Sequence, residues 1–430
     1  MNDFNYLIVG NSAGAVGCIE GLREVDQAGL LAVISEEASH LYSRALLLYY
    51  LEGKIRVEGM FYRPLDFYEM YGVTPFLGKK AVRIDFEQKE VELVGGERIG
   101  YGKLLLATGG KPFVPPITGL EKRNVFNFLN LDDVLEIEKA LAGLNDVIIL
   151  GGGVIGLMAA ETLKKKGLRV CVLELADRVL APVVDETVSG IIEALFRENG
   201  VMICTRTTIK DVRGEDLVQG VILTDGRTIP GELLIVAAGV VPRLELVKDT
   251  ELKINRGIPV NKRMETSVPD VYACGDCAEA YDFVTGVSRL LPLWPNAYAG
   301  GRIAGYNMAG QSREYEWGTN MNTMHFFGLY VISAGVNVTE DNAASYEVIT
   351  KLDQGNKKIY RKFALKDGRI EGFVCVGEVA RAGIFLNLMR KKIDVSSFQQ
   401  ELLLKNFGFS NLPDELRWHL LKDDVLLGVV

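Results

Sequence analysis

Two cysteines separated by two residues, Cys274 and Cys277, have the types and spacing that most directly suggest chemistry in this sequence. A Cys-x-x-Cys pair can form a redox-active dithiol, because a thiol at a helix N-terminus is readily activated. The alternative is that the two cysteines only flank Gly275 and Asp276, which would then carry the function. The choice decides whether electrons pass through sulfur, and it depends on the elements around the pair.

The strongest binding motif lies in the stretch VIILGGGVIGLMAAETLKKKGLRVCVLE, which begins at residue 147. An apolar strand leads into Gly151, Gly153 and Gly156, which complete a G-x-G-x-x-G pattern, and a second strand then ends on Glu174. Such a turn lets backbone N–H groups at a helix N-terminus approach a pyrophosphate. The Glu174 carboxylate can accept ribose hydroxyls and repels a 2′-phosphate, which favours NADH over NADPH, although Arg178 lies close enough to weaken that preference.

A second copy of this pattern opens the chain, in NYLIVGNSAGAVGCIE. The three glycine positions hold Gly10, Ser12 and Ala15, so the match is weaker, and an ordinary βαβ unit is the alternative. The next strand, LAVIS, is followed by Glu36 and Glu37, where an acid that binds ribose is expected. Two dinucleotide sites in one chain suggest one resident cofactor and one that visits.

The composition excludes several classes of protein. A chain of 430 residues suggests two or three domains, and a formal net charge of −8 argues against binding to nucleic acid. No apolar run is long enough to span a membrane, and the N-terminus enters an apolar strand without a basic leader. Six scattered cysteines are typical of reduced thiols. We therefore expect a soluble, cytoplasmic protein.

Histidine chemistry and metal binding are not expected. The chain has three histidines, His40, His325 and His419, and no motif groups them. A histidine-based triad or a multi-histidine metal site is hard to build from them. We therefore expect no metal site, and we expect a bound cofactor to supply the chemistry.

The stretches that follow the two motifs repeat each other. Residues 104–110, LLLATGG, and residues 234–243, LIVAAGVVPR, each form an apolar strand that ends in a small-residue turn. Pro112, Pro115 and Pro116 follow the first, and Pro242 ends the second. These prolines predict the points where the chain crosses into an inserted domain and returns.

In this order, the motifs GxxxG…E, ATGG, GGGVIG…E, AAGVVP and CGD resemble the FAD-dependent pyridine nucleotide-disulfide oxidoreductases. The similarity is greatest to the branch of rubredoxin reductases, ferredoxin reductases and the flavin part of NADH-dependent nitrite reductases, and residues 42–53 and 359–378 share it. The resemblance implies an α/β fold with two Rossmann-like dinucleotide-binding domains and a C-terminal α+β domain. The implied ranges are an FAD-binding domain in two parts (1–115 and 245–325), an inserted NAD-binding domain (116–244) and a C-terminal dimerisation or partner domain (326–430).

The resemblance also implies a set of cofactor contacts and no catalytic acid or base. Arg44 could instead be a surface charge, and Trp294 could instead be a core residue. The expected FAD contacts are Gly10, Ser12, Ala13, Gly14, Ala15, Glu36, Glu37, Arg44, Val82, Ala107, Thr108, Gly109, Gly275, Asp276, Trp294, Asn296 and Ala297. The expected NADH contacts are Gly151, Gly153, Val154, Ile155, Gly156, Glu174 and Gly239.

In this family the last strand of the flavin domain ends in a Gly-Asp pair that begins a helix facing the phosphates, and Gly275-Asp276 fits that place. Cys274 and Cys277 then only flank a flavin motif. Residues 35–54, where relatives carry a redox cysteine, contain none. The other four cysteines are expected to be small buried hydrophobic residues: Cys18, Cys171, Cys204 and Cys375. Met158 stands where many relatives carry a glutamate near the nicotinamide.

The function that follows is electron transfer between NADH and a separate iron–sulfur carrier of the ferredoxin or rubredoxin type. Hydride would pass to flavin N5 without a redox cysteine, and a carbon monoxide dehydrogenase is one system that such a carrier could serve. The alternatives are an NADH oxidase that reduces oxygen and a non-autonomous electron-transfer subunit of a larger complex. Beyond residue 326, three strand patterns, a helix and an amphipathic tail are typical of the family's small domain, which often forms a homodimer interface.

Overall fold

The computed structural model describes residues 2–340, 342–353, 355 and 358–417 of the chain. These residues form two compact units: the first runs to Leu175 and resumes from Gly200 to Thr319, and the second joins Ala176–Asn199 to the chain from Asn320 onward. None of the helices in the described ranges has the length and apolar character that a membrane crossing requires. The four domain ranges expected from the sequence stay predictions. His419 and the rest of the tail beyond residue 417 lie outside the described residues.

The first unit is built on a seven-stranded sheet with strand order β3-β2-β1-β6-β5-β4, in which β18 also pairs with β6. Strands β1, β2, β3, β6 and β18 pair in parallel, whereas β4 and β5 are antiparallel. The middle of the sheet is buried on both faces, as the fully buried run of β2 shows. The strands are β1 Asn2–Val9, β2 Leu31–Ser35, β3 Val73–Leu77, β4 Ala81–Asp85, β5 Glu90–Leu93, β6 Arg98–Leu106 and β18 Val271–Ala273, and the helices that belong with them are α1 Ala13–Arg23, α2 Leu47–Leu51, α3 Phe67–Met70 and α7 Trp294–Met308.

A second, five-stranded parallel sheet lies in the same unit, with strand order β11-β10-β9-β15-β8. Helix α4 begins with a capping box, in which the Asn130 and Asp133 side chains each accept a bond from the other's backbone N–H. The strands are β8 Val125–Asn127, β9 Asp146–Leu150, β10 Arg169–Leu173, β11 Met202–Cys204 and β15 Leu233–Val236, and the helices are α4 Leu131–Ala140 and α5 Val154–Lys165. The expected pair of dinucleotide-binding folds is confirmed.

Three small sheets complete the first unit. Strands β7 (Gly110–Pro112) and β16 (Val240–Pro242) pair antiparallel. Strand β7 follows β6 of the first sheet and β16 follows β15 of the second, and the crossing into an inserted domain stays a prediction. The other small sheets are β12 Ile209–Arg213, β13 Gly220–Leu223 and β14 Thr228–Pro230, and β17 Ile258–Pro259, β19 Ala278–Tyr281 and β20 Ser288–Leu290.

The prediction that a helix begins at Gly275-Asp276 is wrong. After β18, residues Gly275–Cys277 make a single 3-10 turn, and Ala278 is already extended. Ala278–Tyr281 then forms β19, which pairs with β17 and β20. The backbone N–H and C=O groups that a helix would use are therefore engaged in a sheet.

The second unit is a five-stranded antiparallel sheet with order β21-β22-β25-β24-β23. The three strands and the helix predicted from the sequence are confirmed as β23, β24, β25 and α8. The elements are β21 Met321–Phe326, β22 Leu329–Gly335, β23 Glu347–Leu352, β24 Tyr360–Lys366, β25 Arg369–Val376, α6 Glu186–Glu198 and α8 Ala382–Arg390.

Both faces of this sheet are covered. Six consecutive residues of β24 are buried, although neighbours along a strand point to opposite faces. On one face the Phe363 ring lies 4.8 Å from the Phe385 ring of α8.

On the other face Lys362 Nζ lies 3.1 Å from a carboxylate oxygen of Asp185, which also accepts a hydrogen bond from the Tyr360 hydroxyl at 2.9 Å. Asp185 caps α6 by accepting a bond from the Val188 N–H. A segment more than 120 residues earlier in the chain thus completes the C-terminal sheet.

Replacing Asp185 with asparagine is expected to destabilise this unit. Asparagine keeps the helix cap and can still bond Tyr360, but it leaves the buried Lys362 ammonium without its counter-charge. Removing one partner of a buried ion pair lowers the free energy of unfolding by about 3 kcal/mol. Chemical denaturation measures the change. Glu198→Gln is the matched control, because its pair with Lys358 is exposed and should change stability by less than about 1 kcal/mol. Equal effects of the two substitutions would contradict this account.

Candidate functional site

The turn between β1 and α1 is formed by close backbone contact. Gly10 has a φ of +118°, and a Cβ at this position would overlap the carbonyl oxygen of Ala107 at the end of β6. The Ala107 N–H in turn donates to the carbonyl oxygen of Val9 at 2.8 Å. Only glycine fits such a position, because it combines a left-handed backbone with the absence of a side chain. Ala13, Gly14 and Ala15 then form the buried first turn of α1, with Ser12 as its N-cap.

The turn between β9 and α5 repeats this geometry. Gly151 has a φ of +117°, and a Cβ there would overlap the carbonyl oxygen of Ala237 at the end of β15. A Cβ on Gly156 would in turn overlap the Gly151 carbonyl oxygen. Gly153 is the N-cap of α5. A Glu174 carboxylate oxygen accepts a hydrogen bond from the Gly152 N–H at 2.6 Å, so the predicted ribose-binding acid lies at the glycine-rich turn.

Helices α1 and α7 pack through glycines. A Cβ on Gly17 would overlap the Tyr298 carbonyl oxygen, and a Cβ on Gly301 would overlap the Gly14 carbonyl oxygen. Gly21 and Gly305 approach the backbone of the opposite helix in the same way. The two backbones therefore lie closer than side chains would allow, as in G-x-x-x-G helix pairs. This contact brings the N-terminus of α7 to the β1–α1 turn.

Three distant parts of the sequence meet at this point. The Cβ position of Gly14 lies 2.7 Å from the Cys274 sulfur and 3.5 Å from the Ala297 carbonyl oxygen. The Cβ position of Gly275, which has a φ of +77°, lies 3.5 Å from the Ala297 Cβ. The Asn296 side chain donates to the Thr319 carbonyl oxygen at 2.9 Å. Predicted cofactor contacts from the first turn, the Gly-Asp motif and α7 are thus brought together.

A partly buried cation, Arg44, lies near Asp276. Arg44 is bonded to a Glu37 carboxylate oxygen at 2.5 Å and to the Leu129 carbonyl oxygen at 2.8 Å. Burial disfavours its charge, but Tyr42, Glu37 and Asp276 together outweigh burial and raise the pKa of Arg44. Burial also raises the pKa of Asp276, and Arg44 opposes that shift. Arg44 is therefore held by specific partners, and it contributes a fixed positive charge to the site.

The two neighbouring acids Glu36 and Glu37 point in different directions. Glu37 is partly buried and binds Arg44 and the Tyr42 hydroxyl. Glu36 is more exposed and pairs with Lys80 at 2.9 Å and with Arg243 at 2.6 Å. The Lys80 hydrogen bond is the largest of the effects that lower the pKa of Glu36. The role of either acid as a ribose ligand stays a prediction.

The remaining predicted contacts lie on β4, on α5, after the end of β6 and at the start of α7. Val82 is exposed on β4, and Ile155 is exposed on α5 beside half-buried Val154. The Thr108 hydroxyl donates to the Arg243 carbonyl oxygen at 2.9 Å, which joins the end of β6 to the returning chain. Trp294, the first residue of α7, packs edge-on against Tyr62 at 5.3 Å. Contact of these residues with a cofactor stays a prediction.

Cys274 and Cys277 are closed off from solvent. Both are at most 1% exposed. The Cys277 thiol donates to the carbonyl oxygens of Leu106 and Cys274, at 3.5 and 3.3 Å. Burial raises the pKa of both thiols. A dithiol that reacts with an outside oxidant or disulfide needs at least one thiol that is accessible and can ionise, and neither member of this pair is accessible.

Backbone geometry supports the fit of two dinucleotides. At Gly109, Gly153 and Gly239 no protein atom lies within 4 Å of the Cβ position, in contrast to Gly10 and Gly151, which press against backbone. At Gly109, Gly153 and Gly239 the backbone is therefore uncovered, and a flat or anionic group can lie against it. The charge of Arg44 acts on Asp276, and contact of Arg44 with a pyrophosphate stays a prediction. These residues fit FAD at the β1–α1 turn and NADH at the β9–α5 turn.

Several residues of the site were not identified from the sequence. The Tyr68 hydroxyl donates to the Asn11 side-chain oxygen at 2.9 Å and so holds the β1–α1 turn from outside. No local pattern marks that pair. The glycines that join α1 and α7 do carry a signal, because Gly17 and Gly21, and Gly301 and Gly305, are each four residues apart.

The chain matches two family models. Residues 4–301, more than half of the chain, match the model described as pyridine nucleotide-disulphide oxidoreductase. Residues 321–393 match the model described as the rubredoxin NAD+ reductase C-terminal domain. Together these matches cover most of the first unit and all five strands of the C-terminal sheet.

Known relatives cover nearly the whole chain. It is 32% identical over 404 residues to the NADH-dependent phenylglyoxylate dehydrogenase subunit epsilon of Aromatoleum evansii, covering 93% of this chain and 94% of the relative. It is 28% identical over 390 residues to an NADH oxidase of Methanocaldococcus jannaschii, covering 86% and 87%. It spans about half the length of two further relatives. The solved covalent putidaredoxin reductase–putidaredoxin complex has a chain that is 26% identical, with a TM-score of 0.84 and coverage of 92% and 94%.

Replacing Gly301 with alanine is expected to separate α1 from α7. The new methyl group would overlap the Gly14 carbonyl oxygen, and overpacking of this kind lowers the free energy of unfolding by about 1–3 kcal/mol. The displaced helix should also reduce the amount of FAD that purifies with the protein, measured by flavin absorbance.

Gly190→Ala is the matched control, because Gly190 also lies within a helix but has no neighbour within 4 Å of its Cβ position. That change should leave flavin content unaltered and raise stability by up to about 1 kcal/mol. A Gly301→Ala protein with full FAD content and normal stability would show that the helix contact is not needed.

Proposed function

Since the chain belongs to the pyridine nucleotide-disulphide oxidoreductase family, we propose that it is an FAD-dependent NADH oxidoreductase that exchanges electrons with an iron–sulfur carrier. The observation that carries this proposal is the pair of glycine-rich turns in one compact unit, each pressed against the carbonyl group that follows a parallel strand. One turn suits a resident FAD and the other a visiting NADH.

The chain's own residues bind and orient the two cofactors. Arg44, held by Glu37, places a fixed positive charge near Asp276, and we expect this charge to act on the FAD pyrophosphate. The first backbone N–H groups of α7 have no partner within the helix, so they can bond to an electron-rich ring edge. A Glu174 carboxylate oxygen accepts a hydrogen bond from the Gly152 N–H at the second glycine-rich turn, where the ribose of NADH would lie.

When bound, FAD accepts two electrons from NADH and can release them one at a time, which suits traffic with one-electron carriers. The protein excludes its own thiols from this route. Cys274 and Cys277, the cysteines next to the expected flavin position, are buried and their raised pKa values keep them protonated. The electrons are therefore expected to leave for an external acceptor without an intermediate disulfide.

A family model and a solved structure support an iron–sulfur partner of the ferredoxin or rubredoxin type. The C-terminal sheet matches the domain of rubredoxin NAD+ reductase, and a putidaredoxin reductase captured with putidaredoxin shares the fold and 26% of its residues. The epsilon subunit of an NADH-dependent phenylglyoxylate dehydrogenase matches over 94% of its length. That last likeness favours a carrier or partner subunit within a larger redox complex, and a carbon monoxide dehydrogenase system remains one such setting. We further propose that the protein acts in the cytoplasm, where its free cysteines stay reduced, and that it forms a homodimer.

An NADH oxidase is the second candidate function. The match to the archaeal NADH oxidase over most of both chains favours it. Oxygen would then replace the protein carrier as acceptor, and no partner surface would be required.

An anaerobic titration separates the two functions. The purified protein is titrated with NADH while the flavin spectrum is followed, and oxidised ferredoxin or rubredoxin is then added. Bleaching by NADH that a carrier reverses much faster than air does is the expected result. Reversal at least as fast by air would favour the oxidase, and absence of bleaching would contradict both functions.

Replacing Glu174 with glutamine is expected to weaken NADH binding selectively. The change removes a carboxylate that accepts hydrogen bonds, and charge-assisted bonds of this kind contribute about 1.5–3 kcal/mol, so the dissociation constant should rise at least roughly tenfold. Because the repulsion of a 2′-phosphate also disappears, the preference for NADH over NADPH should shrink.

Flavin reduction at a series of nucleotide concentrations measures both effects. Glu215→Gln, an exposed acid in the loop between β12 and β13, is the matched control and should change neither. Flavin content should be equal in both variants, and an unaltered NADH affinity in Glu174→Gln would contradict the assigned role.

A further inference from the structure

Cys171 and Cys204 lie together on neighbouring parallel strands of the second sheet. In the register of β10 and β11, Cys171 is opposite Met202 and Leu173 is opposite Cys204. Because alternate residues of a strand share a face, the two cysteine side chains project from the same face and are diagonal neighbours. The Cys204 thiol is also close enough to act on the titration of Cys171, whose pKa it raises.

The two thiols have different surroundings. Cys171 is 7% exposed, and burial, with Cys204 as the next cause, raises its pKa to about 12. Cys204 is the last residue of β11 and is only partly buried. The Arg227 guanidinium pairs with Asp225 at 2.7 Å, and its charge also interacts with the Cys204 thiol. One sulfur is thus reachable and next to a positive charge, while the other is buried and protonated.

Cys204 is connected by backbone bonds to the proposed NADH site. The Glu174 N–H donates to the Cys204 carbonyl oxygen at 2.8 Å. The Thr207 N–H donates to the Glu174 carbonyl oxygen at 3.1 Å, and the Glu174 side chain accepts from Gly152. The position of Glu174 is therefore fixed from one side by the residue that carries the reachable thiol.

We propose that Cys171 and Cys204 are a modification site at which a peroxide forms a disulfide, and that this bond lowers the affinity for NADH. The inference rests on the proposed use of NADH. In the first step the Cys204 thiolate attacks one peroxide oxygen, the O–O bond breaks, and hydroxide leaves with a sulfenic acid on Cys204. In the second step the Cys171 sulfur attacks that sulfur, the S–O bond breaks, and the oxygen leaves as water with the Cys171 proton. Two thiols and one hydrogen peroxide thus give one disulfide and two waters.

The diagonal arrangement couples the disulfide to Glu174. Diagonal neighbours on adjacent strands have Cα atoms about 7–8 Å apart, whereas most disulfides join Cα atoms about 4.4–6.8 Å apart. The strands must therefore shift when the bond closes, and the end of β11 has the greater freedom. That shift moves the Cys204 carbonyl group away from the Glu174 N–H.

The test uses the full chain with its bound flavin and reads out the bond and the affinity separately. Protein treated with hydrogen peroxide is alkylated, digested without reductant and mapped by mass spectrometry, while NADH affinity is measured from flavin reduction. We expect linked peptides that contain Cys171 and Cys204, a roughly tenfold rise in the NADH dissociation constant, and reversal of both by dithiothreitol.

Three variants sharpen the result. Cys171→Ala should bind NADH normally before treatment and keep its affinity after treatment, with a sulfenic acid on Cys204 that dimedone traps. Cys375→Ala, which removes another buried cysteine, should still respond as the parent does. Arg227→Gln should form the disulfide more slowly.

Two outcomes would overturn the inference: linked peptides that are missing while Cys204 remains open to alkylation, or a disulfide that forms without a change in NADH affinity. Failure of the untreated protein to bind NADH would instead contradict the proposed function, and the peptide map would still decide whether the thiols pair.

Discussion

The packing of α1 against α7 is the contact on which the proposed flavin site depends. Glycines on both helices let the two backbones approach, and each helix fills the space that a Cβ on the other would need. The N-terminus of α1 belongs to the glycine-rich turn, and that of α7 belongs to a segment almost three hundred residues later. Their contact places Gly14, Gly275 and Ala297 side by side. A methyl group added at the contact between α1 and α7 would disturb the whole site, because protein interiors are close-packed.

In both dinucleotide folds the chain passes close to a neighbouring strand, and a glycine makes that close approach possible. At Gly10 and at Gly151 a left-handed glycine lies against the carbonyl group that follows a neighbouring strand. What differs is the charge around each turn. Arg44, held by Glu37 and near Asp276, gives the first fold a partly buried cation, whereas the second turn is bonded to the Glu174 carboxylate. This difference suits a resident pyrophosphate at one turn and the ribose of a visiting nucleotide at the other.

The C-terminal sheet shows how a contact distant in sequence can complete a core. Its central strands are buried on both faces, and one face is covered by α6, which follows the second dinucleotide motif along the chain. Asp185 joins the two segments, because it caps α6 and also pairs with Lys362. A division of this chain by sequence motifs alone therefore separates residues that share one core.

The sequence alone determined the glycine-rich turns, the order of strands and helices around them, the crossing prolines and the identity of the acids that follow each second strand. These features are local, because backbone conformation and hydrophobic period depend on near neighbours. Tertiary structure decided what is not local. It directed Glu37 to Arg44 and Glu36 to Lys80, ended the turn at Cys277 in a strand where a helix was expected, and buried Cys274 and Cys277. Side-chain direction, burial and sheet pairing depend on residues far along the chain, so no local pattern can specify them.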